Sequence, residues 1–271
     1  MTATRKPWQR DELMLVMNLY CRIPFGRQHS RSAEVIDLAR ALARSPASVA
    51  MKLNNFTSLD PEEKVRGVRG LSGASQLDRN VWESFHADWE GMVSESERLW
   101  EKTVGDQAAF IPLGDVPSAQ NAATQNTLPD SRPTGPTERE RTSKVRMAQN
   151  FFRRAILALY DTRCCISGNP VPELLIASHI LPWASFPEHR VNPGNGLCLS
   201  RLHDAAFDQG LITFDESRRL VLSKRLKDHL PNEAIRVSFQ CHEGAALRLP
   251  DKFFPQEKFL TYHRENIFSD R

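Results

Sequence analysis

The first hundred residues carry apolar positions at helical spacing. In "AEVIDLARALA" the apolar residues from Val35 to Leu42 recur at intervals of three and four, which predicts an amphipathic helix. Ser45 is a good N-cap and Pro46 suits the first position of a helix, so "RSPASVAMKLNNF" predicts a second helix after a tight turn. A further helix is predicted around residues 76–90. The pattern favours a helical domain over residues 1–102 that contains a helix-turn-helix.

Three basic side chains are candidates for contacting DNA from this helix pair: Arg40, Arg44 and Lys52. Residues 19–58 hold six Lys or Arg against two Asp or Glu, whereas the whole chain has a net charge of only +3. This local excess is consistent with a phosphate-binding face. A small helical bundle that contacts only protein is the alternative, and the pattern does not decide between them.

Residues 103–142 lose hydrophobic periodicity and gain Pro, Gly, Ser, Thr, Asn and Gln, which predicts a flexible linker. Residues 143–271 then form a second domain that opens with the amphipathic helix "KVRMAQNFFRRAILALY". Four strand-type runs follow, "ELLIAS", "GLCL", "GLITF" and "RLVLS", with "DESR" as a hairpin turn and "SRLHDAAFD" as a short helix. The fold class predicted for the whole chain is α+β.

The second domain brings chemistry-bearing residues into this strand, loop, strand and helix order. His179 closes the first strand and Asn195 opens the second. A neutral histidine at a strand end is suited to act as a general base. Asp204 and Asp208 lie one helical turn apart, and paired carboxylates are hard oxygen ligands for Mg²⁺ or Mn²⁺. This combination suits the hydrolysis of a phosphodiester.

Four segments resemble the HNH endonucleases of the ββα-metal class, in the branch found among bacterial restriction-type nucleases: "RCCISG", "LLIASHILPW", "NPGNGLCLSRLHDAAFDQGLITF" and "FLTYHRENIF". The resemblance covers about residues 150–268. It implies that His179 is the general base, that Asn195 pins the long loop and so orients this histidine, and that a metal ligand lies on the following helix.

The resemblance leaves the helix ligand open. The family ligand lies nine residues after the asparagine, at Asp204, with a second position thirteen residues after it, at Asp208. His203 lies eight residues after it, and is either the ligand after a one-residue shift or a residue that holds phosphate or packs. All three remain candidates, with His203 and Asp208 favoured. Ser178 stands where many members carry Asp or His, which predicts weak metal binding.

The predicted function is therefore metal-dependent hydrolysis of double-stranded DNA in bacterial restriction or defence, with one divalent cation, Mg²⁺ or alternatively Mn²⁺ or Ni²⁺. Trp183, Arg190 and Arg201 are further candidates for DNA contact, although packing or solvated charge is the favoured interpretation of each. One alternative is a DNA-binding regulator or scaffold whose nuclease fold is too poor in metal ligands to cut. Another is a nuclease that acts on RNA or on single strands.

Cysteine usage and hydropathy indicate the compartment. The five cysteines form an odd, scattered set without a C-x-x-C pair, which favours a reducing compartment. The adjacent Cys164 and Cys165 could contribute to structural zinc, but the spaced pairs that such sites use are missing, so we expect ordinary buried thiols. The chain shows no secretory signal and no apolar run of eighteen residues, so we expect a cytoplasmic protein without a membrane partner. A homodimer would suit double-strand cleavage, although no heptad pattern indicates one.

Overall fold

The computed structural model describes residues 6–68, 70–105 and 136–269, with side chains from residue 144 onward in the last range. The chain divides into two compact units, Met1–Ile111 and Pro112–Arg271. Most of the predicted linker falls on residues 106–135, which lie outside the described residues. No helix within the described ranges is both long enough and apolar enough to cross a membrane.

The N-terminal unit is a helical bundle. Its helices are α1 (Arg10–Arg22), α2 (Ala33–Ala41), α3 (Pro46–Leu59), α4 (Pro61–Val65), α5 (Gln76–Ala87) and α6 (Trp89–Thr103). The predicted restart is confirmed, since the Ser45 hydroxyl accepts a hydrogen bond from the Ser48 amide and Pro46 is the first residue of α3. Helix α1 lies at the centre of the bundle, and every residue from Glu12 to Arg22 is buried.

Two of the three basic side chains predicted to contact DNA form ion pairs inside this bundle. The Lys52 ammonium lies 2.9 Å from both carboxylate oxygens of Asp78, and both side chains are buried. The buried Arg44 guanidinium binds the Glu12 carboxylate at 2.7 Å. Arg40 is exposed and pairs with Asp37 on its own helix. Because so much of α3 is core, we place no nucleic-acid contact on it.

The C-terminal unit has the predicted order of elements. The elements are α7 (Pro136–Leu159), β1 (Leu175–His179), β2 (Gly196–Ser200), α8 (Arg201–Asp208), β3 (Ile212–Phe214), β4 (Leu220–Leu222), α9 (Lys224–Lys227), α10 (Glu233–Ser238) and α11 (Glu257–Asn266). Helix α7 begins inside the segment predicted as linker. The residues after Pro136, "TERERTSKVRM", include several strong helix formers, which extend the helix toward its N-terminus.

Strands β1 and β2 form an antiparallel pair at the centre of this unit. The register pairs Leu175 with Ser200 at one end and His179 with Gly196 at the other. All ten residues are buried, and both α7 and α8 pack against the two strands. A strand pair covered by helices holds its backbone firmly, so the residue that ends β1 has a fixed position.

Helix α8 is capped at both ends. The Ser200 hydroxyl accepts a hydrogen bond from the His203 amide at the N-terminus. At the C-terminus Gly210 has a positive φ of 65°, and the Leu211 amide donates to the Ala206 carbonyl at 2.8 Å. This is the Schellman arrangement in which glycine ends a helix without strain. The caps fix the direction of the short helix that carries Asp204 and Asp208.

Candidate active site

His179 is held at the end of β1 in one protonation form. Its ring is buried, and Nε2 lies 2.8 Å from the Arg190 carbonyl oxygen. Because a carbonyl oxygen can only accept, Nε2 carries the proton and Nδ1 keeps its lone pair. Nδ1 is buried and has no hydrogen-bond partner among the described residues. An acceptor nitrogen without a partner is what a general base needs before it takes a proton.

Aromatic side chains enclose the His179 ring. The Phe152 ring of α7 stacks on it at a centroid distance of 3.9 Å, and Trp183 meets it edge-on at 5.1 Å. Burial lowers the pKa of His179 to about 4, and the hydrogen bond to the Arg190 carbonyl offsets only part of this effect. The imidazole is therefore neutral at pH 7, as a base must be.

Asn195 ties together both ends of the loop that separates β1 from β2. Its Oδ1 accepts a hydrogen bond from the Leu181 amide at 2.8 Å, and its Nδ2 donates to the His189 carbonyl at 3.1 Å. Its own carbonyl accepts from the Ile180 amide at 3.0 Å. His189 precedes the residue whose carbonyl holds His179. Asn195 therefore fixes the peptide segment that orients the imidazole.

The two arginines of the C-terminal unit that are predicted to contact DNA lie in different surroundings. Arg190 is half-buried, with its Nε donating to the Trp183 carbonyl at 2.8 Å and its guanidinium 5.0 Å from the Trp183 ring. Arg201 is exposed at the start of α8 and donates to the Glu173 carbonyl at 3.3 Å. The Arg201 charge is therefore open to solvent, whereas Arg190 belongs to the wall around His179.

His203 is surrounded by protein atoms on both ring nitrogens. Nδ1 lies 2.9 Å from the Ser200 hydroxyl and 3.4 Å from the Cys164 sulfur, and Nε2 lies 2.8 Å from the Ser238 carbonyl oxygen. Burial opposes the charged ring, but the contacts with Cys164 and Ser238 raise the pKa of His203 above its ordinary value. Burial raises the pKa of the Cys164 thiol, but the contacts with His203 and Ser167 together outweigh it and lower the pKa to about 6.

Helix α8 also carries two acids, Asp204 directly after His203 and Asp208 one helical turn further on. Asp204 is buried and Asp208 is half-buried, and their spacing of four residues places both on nearly the same side of the helix. Ser178, which precedes the candidate base, has a buried hydroxyl without a hydrogen-bond partner in the described ranges. Within the same ranges no three His, Cys, Asp or Glu side chains come together as a metal group.

Several participants give little signal in the sequence. Phe152 occupies an apolar position on an amphipathic helix, where packing is the ordinary interpretation. The Arg190 contribution comes from its main-chain carbonyl, which any residue possesses. The sequence favours an ordinary buried thiol at Cys164, and its contact with His203 distinguishes it.

Comparison with known families assigns this unit. Residues 164–215 match the family described as HNH endonuclease. The match includes His179, Asn195, Asp204 and Asp208. The C-terminal unit therefore contains an HNH endonuclease domain, the protein is a nuclease of the hydrolase class, and its substrate is a nucleic acid. A comparison of the chain with curated proteins gives no match.

The donor atoms present suit the divalent metal that HNH nucleases generally use. Mg²⁺ prefers oxygen ligands, keeps several waters and is commonly held by one or two carboxylates together with substrate phosphate. Asp204 and Asp208 supply two carboxylates from one helix, and Ser178 supplies a neutral buried oxygen next to His179. These groups fit a hard cation better than a soft one.

Proposed function

We propose that this protein is a metal-dependent endonuclease that hydrolyses double-stranded DNA. The observation that carries the proposal is the state of His179, whose Nε2 proton is bound by the Arg190 carbonyl while the Nδ1 lone pair has no partner. A histidine that served only packing would have no reason to leave one buried nitrogen unsatisfied, because that costs free energy.

In the proposed reaction Nδ1 of His179 takes a proton from the attacking water. The water oxygen forms a bond to phosphorus, the bond from phosphorus to the 3′ oxygen breaks, and the product carries a 5′ phosphate. The resulting imidazolium keeps its Nε2 hydrogen bond to the Arg190 carbonyl. Asn195 acts by holding the loop and touches no reacting atom.

Asp204 and Asp208 would hold the divalent cation, for which we propose Mg²⁺ with Mn²⁺ or Ni²⁺ as substitutes. When bound, such an ion neutralises charge on the phosphate and on the leaving oxygen. Sequence spacing makes His203 a further candidate for this set, although both of its ring nitrogens lie at hydrogen-bond distance from protein atoms.

The burial of Nδ1 requires a local movement before catalysis. Nδ1 is buried, with Phe152 stacked on the imidazole and Trp183 against it edge-on, so water reaches Nδ1 only after a side chain around the ring moves. Trp183 is the better candidate, since it lies in a loop and is partly exposed, whereas Phe152 is buried in α7. We propose that binding of DNA beside Arg190 displaces the Trp183 ring.

Double-stranded DNA is the proposed substrate, with Arg201 and Arg190 as contacts to phosphate. Arg201 is exposed at the start of α8, and Arg190 lies next to the catalytic base His179. In the N-terminal unit Arg40 is the exposed member of the three basic side chains considered for DNA contact. The proposed role in bacterial restriction or defence, like the proposed homodimer, comes from the resemblance to restriction-type nucleases and from the geometry of double-strand breaks.

The test is a cleavage assay with the full chain on supercoiled plasmid in Mg²⁺, Mn²⁺ or Ni²⁺, and with EDTA. We expect nicked and linear products that require metal, and loss of both products in Asp204→Asn and in Asp208→Asn. Wild-type protein that cuts equally well in EDTA would refute the metal requirement.

Matched oligonucleotides of one sequence, as duplex DNA, single-stranded DNA and RNA, decide the substrate. Faster cleavage of the duplex supports the proposal, and faster cleavage of RNA or of single strands contradicts it. Binding of duplex without cleavage of any substrate in any metal would identify the chain as a DNA-binding protein with an inactive nuclease domain.

A further inference from the structure

Three segments of the C-terminal unit meet at the His203 ring. Ser200 ends β2 and caps α8, Cys164 lies in the turn after α7, and Ser238 ends α10. The Phe239 ring closes one side of the imidazole edge-on at 5.4 Å. His203 is therefore buried among groups that come from distant parts of the sequence.

The partners of the ring restrict what His203 can bind. The Ser238 carbonyl is an acceptor only, so Nε2 carries a proton and has no lone pair for a metal. Nδ1 faces the Ser200 hydroxyl and the Cys164 sulfur at hydrogen-bond distance. Coordination through either nitrogen would require an existing contact to break.

We infer that His203 is a positioning residue that fixes the start of helix α8 to Cys164 and Ser238, and that it does not ligate the metal. This inference rests on the proposed function, because it concerns the same acidic helix. Asp204 is the next residue on the first turn of α8, and it is buried. A tether on His203 therefore sets the position of the carboxylate beside it.

Residues 233–242 would then help to position the acidic residues of α8. This segment supplies the Ser238 carbonyl and the Phe239 ring, although it lies beyond the residues that match the HNH family. Groups that hold a metal ligand in place without touching the metal commonly change its affinity by about 10 to 100-fold when they are removed.

The test uses Mn²⁺ as the probe on the full chain, with His203→Ala, His203→Gln and Asp204→Asn. Electron paramagnetic resonance reports both the Mn²⁺ affinity and any coupling to a nitrogen ligand. The amide nitrogen of Gln occupies the place of Nε2 and can donate to the Ser238 carbonyl, so this variant keeps one part of the tether. Circular dichroism shows whether each variant is folded.

We expect no nitrogen coupling that depends on His203. We also expect an Mn²⁺ affinity lowered by about 10 to 100-fold in His203→Ala, with part of the loss recovered in His203→Gln. A nitrogen coupling that disappears in His203→Gln would overturn the inference, because it would identify the imidazole as a ligand. Wild-type affinity in a folded His203→Ala would overturn it as well.

A second measurement needs no metal and separates this inference from the proposed function. Hydrogen exchange on the metal-free chain should show that the amides of α8 and of residues 233–242 exchange faster in His203→Ala than in wild type. Unchanged exchange in both segments would overturn the tether. If wild-type protein binds no Mn²⁺, the proposed metal requirement fails, and faster exchange in the variant still supports the tether.

Discussion

Replacing Asn195 with Ala tests how the loop between β1 and β2 orients the base. The substitution removes the acceptor for the Leu181 amide and the donor to the His189 carbonyl. Asn195 is 1% exposed and Leu181 is buried, so water cannot readily replace the lost partner of the amide. The segment that ends in the Arg190 carbonyl would then be held less firmly against His179.

The expected loss of stability follows from these two hydrogen bonds. A buried donor left without a partner costs about 1 to 3 kcal/mol, and a typical intramolecular hydrogen bond contributes about 1 kcal/mol. The Leu181 amide would be a buried donor without a partner. His189 is partly exposed, so the loss at its carbonyl is that of a typical hydrogen bond. We expect Asn195→Ala to lower the free energy of unfolding by about 2 to 4 kcal/mol.

The assay combines urea unfolding with single-turnover cleavage, and Asn192→Ala is the matched control. Asn192 lies in the same loop and is also buried, but its side chain accepts one local hydrogen bond, from the Gly194 amide at 2.9 Å. The Gly194 amide is buried as well, so we expect the control to lose about 1 to 3 kcal/mol but to keep its cleavage rate, whereas Asn195→Ala loses both stability and rate. Equal cleavage rates in the two variants would refute the role given to Asn195.

Three further predictions concern stability and packing. Burial lowers the pKa of His263 from 6.5 to about 4, so the unfolded chain binds a proton at a higher pH than the folded chain does. The free energy of unfolding should therefore fall by about 3 kcal/mol as the pH drops from above 6.5 to 4. His263→Gln should remove this part of the pH dependence of chemical unfolding, and an unchanged profile would contradict the prediction. A methyl group at Gly196 would meet the Phe152 and Ile156 side chains, so Gly196→Ala should slow cleavage and change the near-ultraviolet circular dichroism, which a wild-type spectrum and rate would disprove. Lys52→Ala should destabilise the fold by about 3 to 5 kcal/mol in thermal or urea unfolding, because it takes the cation away from the buried Asp78 carboxylate and leaves it with hydrogen bonds from Asn55 and Ser75. A variant as stable as wild type, with weaker DNA binding, would instead support the role predicted from the sequence.

The order of elements around the site was predictable because each has a local signature. Strands β1 and β2 are short apolar runs bounded by turn residues, and α8 follows a serine cap and is terminated by the positive φ of Gly210. These local signals suffice to place His179 at a strand end and the two acids on a helix.

The role of each basic side chain was less predictable. A lysine on a helix is usually exposed, and Lys52 is buried only because Asp78, from a helix 26 residues away, lies beside it. The same holds for Arg44, whose partner Glu12 is on α1. Periodicity gives the face of a helix but does not reveal which distant charge will meet it.

The interpretation of His203 depends on similar long-range contacts. Its spacing from Asn195 left it as a candidate metal ligand beside Asp204. Only the folded chain shows that Cys164 and Ser238, which lie 39 and 35 residues away, are within hydrogen-bond distance of the two ring nitrogens.

The most direct test of the central claim is single-turnover cleavage of duplex DNA by His179→Ala, with and without added imidazole. We expect the rate to fall by about 10² to 10⁴-fold, the usual contribution of a general base, with DNA binding retained. Free imidazole should restore part of the rate, since it can enter the space beside Phe152 left by the missing ring. A folded His179→Ala that cleaves at the wild-type rate would contradict the assignment of His179 as the base.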